Sequence, residues 1–92
     1  MSDFVITYDL NNPGQNYAAV EKAIKACGEA GRVLETVWYL SSAMTGDQVL
    51  AKVWAAMDGT DRLLVVDARA AWGQNIGDRW NIIDRCWNSK AA

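Results

Sequence analysis

The chain has 92 residues and a mass of 10.1 kDa, which holds one domain and excludes two that fold independently. Hydrophobic residues are 51% of it and charged ones 22%, so intrinsic disorder is excluded. Nine basic against eleven acidic residues give a net charge of −2 and a pI near 4.8, and histidine is absent. That balance argues against a surface built for nucleic acid. The missing histidine removes imidazole bases, His-based metal sites and Ser-His or Cys-His pairs, and it leaves carboxylates as the chemistry-bearing groups.

Phe4-Val5-Ile6-Thr7-Tyr8 is β-branched and aromatic, and Asp9-Leu10-Asn11-Asn12-Pro13-Gly14 stops it. The pair reads as a first strand ending in a turn. Tyr17, Val20, Ile24 and Cys27 recur at helical spacing, with Asn16 as N-cap and Gly28 or Gly31 as the stop. Arg32 to Ser41 is β-rich and long for one strand. It is either two short strands pivoting near Glu35-Thr36 or one bent strand. Thr45 or Gly46-Asp47 caps a second helix whose Val49, Leu50, Val53, Trp54 and Met57 form an apolar stripe. Asp58-Gly59-Thr60-Asp61 is a turn, and Leu63-Leu64-Val65-Val66 a strand apolar on both sides.

The segment from Ala70 to Trp87 follows as a tryptophan-rich extension. Ile76, Trp80, Ile83 and Trp87 favour a C-terminal helix; a strand over Arg79 to Trp87 is the alternative. Trp72, Trp80 and Trp87 are expected to dock this segment onto its own domain or onto a partner protomer. No signal peptide is expected, because Phe4 to Leu10 is short and interrupted by Thr7 and Asp9, and no apolar run reaches membrane-spanning length. Cys27 and Cys86 stand far apart with three readings open: buried thiols, a long-range disulfide, or a reactive thiol. A cytoplasmic protein with reduced thiols is the expectation.

The order β-α-β(β)-α-β over residues 3–68 suits an α+β, ferredoxin-like βαββαβ domain with an antiparallel sheet and both helices on one face. Residues 69–92 form the C-terminal extension. In that arrangement Asp9 lies near Asp61 and Arg62, and the bend at Glu35-Thr36 falls at the same end of the sheet. Alternation sets Phe4, Ile6 and Tyr8 toward the helices and Val5, Thr7 and Asp9 away from them. The second face is then either covered by a partner in a symmetric homodimer, with Asp9 lining the cleft, or covered by the extension of the same chain.

Tyr8-Asp9-Leu10 closing a short first strand resembles the start of the CRISPR-associated Cas-two endoribonuclease family. In that family a Tyr-Asp pair ends strand one, and the Asp is the proposed metal-binding catalytic residue. Arg32-Val33-Leu34-Glu35-Thr36-Val37-Trp38 looks like the family's Arg-Val-Gln-x-Ser-Val-Phe segment, with Leu34 in place of Gln. The likeness is closer to the Cas-two-like proteins labelled SinR-like. It rests on Tyr8-Asp9-Leu10-Asn11-Asn12-Pro13-Gly14-Gln15-Asn16-Tyr17, on Glu35-Thr36-Val37-Trp38 and on Asp61-Arg62-Leu63-Leu64-Val65. The VapD ribonucleases share the fold of that family. The family's basic residues soon after its Asp are missing, the next cation here being Lys22.

The resemblance implies a ferredoxin-like homodimer with facing sheets, and two function classes follow. One is a weak Mg²⁺- or Mn²⁺-dependent nuclease. Asp9 would hold the metal, Tyr8 would position, and Arg32 or Arg62 would neutralise phosphoryl charge. The other is a non-catalytic binding or scaffold dimer that takes a protein partner and keeps Asp9 as a turn and interface residue. The acidic balance disfavours nucleic acid as partner and so favours the second.

Overall fold

Phe4, Ile6 and Tyr8 are buried in one apolar cluster, while Val5 packs into another, so the alternation of the first strand divides the molecule into two layers around a sheet. The computed structural model describes residues 2–11 and 17–90, with side chains through residue 87. In chain order these are β1 (Ser2–Asp9), α1 (Tyr17–Lys25), β2 (Glu29–Leu34), β3 (Val37–Ser42), α2 (Gly46–Trp54), β4 (Arg62–Ala68), a 3₁₀ turn (Gly77–Arg79) and α3 (Trp80–Lys90). The strands form one antiparallel α+β sheet in the spatial order β2-β3-β1-β4, which makes β2 and β4 its edges. Asn16 and the Asn12-Pro13-Gly14 turn lie outside the described residues.

The first layer is built by α1 and α2. Val20 and Ile24 of α1 and Val49 and Val53 of α2 close over Phe4, Ile6, Tyr8, Trp38 and Leu40. Thr45 starts α2 with a capping box: its hydroxyl accepts from the Gln48 amide, and Gln48 Oε1 accepts from the Thr45 amide. Of the five residues in the expected α2 stripe, only Val49 and Val53 are buried. Leu50 and Trp54 stand one turn apart on an exposed flank, so Trp54 is not the core residue its spacing implies. A helix lying on a sheet buries a stripe, and an apolar face wider than that stripe overhangs it.

Residues 29–42 form two strands, with a bulge between Arg32 and Leu34 and the reversal at Glu35-Thr36. The single bent strand is therefore excluded. Gly28 makes the α1-to-β2 corner, where a Cβ would stand 2.1 Å from the Ser41 carbonyl oxygen. Gly31 stops no helix. It sits inside β2, and a Cβ there would lie 2.6 Å from the Ile82 side chain.

The extension is a helix rather than a strand, and it is the second layer. α3 lies against β2 and β3 and reaches β1, with Ile83 and Cys86 buried beside Val33 and Tyr39. The sheet face opposite α1 and α2 is thus not open along its whole width; the chain's own third helix covers the β2-β3 side. Leu64 and Val66 on β4 stay exposed. Cys27 belongs to the first layer and Cys86 to the second, so the sheet separates them and both thiols are free and buried. No helix among the described residues is long and apolar enough to cross a membrane.

Candidate functional site

Antiparallel pairing of β1 with β4 sets Asp9 directly opposite Arg62. Both are exposed, and with Thr7 and Leu64 they border an open depression of about 220 Å³ at that end of the sheet. Cross-strand neighbours on one face lie within reach of each other's side chains.

The other two nominated residues lie on the opposite face. Tyr8 is buried, and its hydroxyl accepts a hydrogen bond from Trp38 Nε1 at 3.3 Å. Burial pushes its phenol above the ordinary value of 10.0, against a smaller lowering from that hydrogen bond. Arg32 stands cross-strand from Trp38, and its Nη1 lies 3.6 Å from Glu21 Oε1 of α1. Lys22 lines a groove between α1 and α2 together with Lys52. Asp9 and Arg62 are brought together; Tyr8 and Arg32 serve the helix layer.

Asp61 is adjacent in sequence to Arg62 but is occupied. Its Oδ1 accepts from the Asn11 amide at 2.9 Å and its Oδ2 from the Asp58 amide at 2.8 Å, while its own amide donates to the Asp58 carbonyl at 3.0 Å. It closes the turn before β4 and ties it to the exit of β1. Among the described residues no group of three or more His, Cys, Asp or Glu could hold a metal ion. A cation at Asp9 would take one carboxylate from this chain and complete its shell with water, substrate phosphate or a second protomer.

A polar network under α3 carries no signal in the sequence. The Tyr39 hydroxyl donates to Asp3 Oδ2 at 2.8 Å, and Trp87 Nε1 donates to the Tyr39 oxygen at 2.7 Å. Asp3 and Tyr39 are buried. Burial, and then the Asp3 carboxylate, push the Tyr39 phenol far above its ordinary range. The Cys86 thiol donates to the Glu29 carbonyl at 3.3 Å, and burial with the nearby Asp3 and Glu29 carboxylates pushes its pKa up to about 11. Trp87 docks the extension onto its own domain, as its size implies. Asp3 precedes the apolar run of β1, and its residue type gives no hint that it is buried.

No family model, curated protein or solved structure matches the chain. The family likeness therefore rests on the sequence segments around Asp9, Thr36 and Leu63.

Proposed function

We propose that this chain is a ferredoxin-like, Cas-two-like domain that acts in the cytoplasm as a non-catalytic, homodimeric binding or scaffold module. The chain order βαββαβ and the sheet order β2-β3-β1-β4 support the ferredoxin-like reading, with α3 as an addition to it. Two free, buried cysteines accord with a reducing compartment.

One observation carries the dimer. On β4, an edge strand, Leu64 is 56% and Val66 43% exposed on the face that α3 leaves uncovered. An apolar strip joined to an unpaired strand edge favours a second copy of the same surface. Asp9 and Arg62 border that strip as a polar rim.

The apposition of Asp9 and Arg62 favours a second reading, a weak Mg²⁺- or Mn²⁺-dependent nuclease with the metal on Asp9 and a phosphoryl oxygen on Arg62. Tyr8 and Arg32 have no part in this version, because both belong to the other face.

Light scattering behind a sizing column tests the dimer. A dimer mass is expected at micromolar concentration, and a monomer mass for the double variant Leu64→Lys, Val66→Lys. A wild-type monomer would overturn the homodimer.

A further inference from the structure

Trp72 is 89% exposed, although an indole is among the least favourable side chains to leave in water. Its surroundings explain it. Trp72, Trp80 and Trp87 together line a cavity of about 290 Å³ between α3 and the segment that precedes it. Among the described residues of that lining Asp84 is the one charged group, and beside the three tryptophans stand Ala70, Ala71 and Ile83. Among the described residues Asp84 forms no ion pair, and Arg85, its neighbour, pairs with Glu29 instead.

The loop bearing Trp72 is shaped to stand over α3. At Gly73 a Cβ would lie 2.7 Å from Ile76 and 3.3 Å from the Trp80 ring, so glycine lets the backbone approach the indole closely. Asn75 at φ 59° and Gly77 at φ 56° then reverse the chain through two left-handed residues. Trp87 is fixed from the other side by its hydrogen bond to Tyr39. One wall, Trp87, is thereby held before any ligand arrives, which lowers the ordering cost of binding there.

Ligand class follows from these groups. Three indoles border the cavity, and tryptophan is the strongest aromatic partner for a cation. The Asp84 carboxylate excludes anions, and a neutral apolar ligand would strip water from it without a compensating charge. A primary ammonium is tightly hydrated and would lose that water on entry. A methylated ammonium carries its charge on an apolar surface and loses little. Ligand pockets of drug size run to about 300–1,000 Å³, so this one suits a headgroup-sized molecule.

We propose that the tryptophan-lined cavity of the C-terminal extension binds a small quaternary ammonium compound, held by the three indole faces and balanced by Asp84.

Choline chloride titrated into the full chain, followed by tryptophan fluorescence and calorimetry, tests it. Saturable binding is expected, with ethanolamine and the neutral isostere 3,3-dimethylbutan-1-ol each weaker by about tenfold or more. Trp72→Ala and Asp84→Asn change exposed side chains and should leave thermal unfolding unchanged while weakening choline by about threefold to tenfold. Failure to saturate at about 10 mM choline would overturn the site. Equal binding of the neutral isostere would overturn its cationic character.

Discussion

Cys86 and Tyr39 are acids whose ionisation the fold opposes, and both sit where α3 meets the sheet, close to the Asp3 carboxylate. A thiolate in that layer would lose its water and face a negative charge. The unfolded chain gives up the Cys86 proton near the ordinary value of 9.0, whereas the folded chain holds it to about 11. Between those values the unfolded state binds fewer protons, so stability falls as pH rises. The contribution is complete below about pH 9 and is lost on the way to about 11, at a size of about 2–3 kcal/mol. Tyr8 and Cys27, both raised by burial in the other layer, act in the same direction. Urea unfolding measured between about pH 8 and 11 should therefore show a falling midpoint. Cys86→Ala should flatten that slope while lowering the plateau through the cavity it leaves. A wild-type midpoint constant across this range would contradict the argument.

The docking of α3 depends on a missing side chain in β2. Gly31 leaves the space that Ile82 fills, and any Cβ there would stand 2.6 Å from it. Gly31→Val should push α3 off the sheet and destabilise by about 1–3 kcal/mol, the usual cost of overpacking. Ile82→Ala in the same molecule should recover part of the loss, because the two changes share one contact and will not add. Chemical denaturation of the two single variants and the double variant gives the coupling. Additive losses would mean that Gly31 matters for another reason.

The same contact shows where the sequence stops being informative. Period and turn chemistry are local, so α1, α2 and β1 were legible, whereas they leave open one strand or two over residues 32–41 and helix or strand over residues 79–87. Register follows from topology, which is why Asp9 and Arg62 were legible as neighbours. Which face α3 covers is decided by contacts distant in sequence, such as Gly31 with Ile82 and Tyr39 with Trp87. Arg32 lies on the helix side because it pairs with Trp38 across β2 and β3, a pairing that the family likeness does not disclose. For Tyr8, alternation alone gave the buried position, and the family likeness pointed elsewhere.

Across the whole molecule, charge favours the non-catalytic reading of the Asp9 edge. The chain carries a net charge of −2, and four of its nine cations are placed elsewhere. Lys22 and Lys52 line the α1-α2 groove, Arg32 pairs with Glu21, and Arg85 pairs with Glu29. Of the residues around the Asp9 depression, Arg62 alone is basic. Affinity for nucleic acid comes mainly from neutralising phosphates, and each one lost removes about one unit from the salt dependence of binding. A single cation gives a shallow dependence and weak retention. Incubation of single-stranded RNA and of duplex DNA with the protein and Mg²⁺ or Mn²⁺ should therefore yield no cleavage above a protein-free control. Asp9→Asn should behave as the wild type in the same assay and in the light-scattering mass. Metal-dependent cleavage that disappears in Asp9→Asn would reverse the order of the two readings, making Asp9 the metal ligand and the dimer its support.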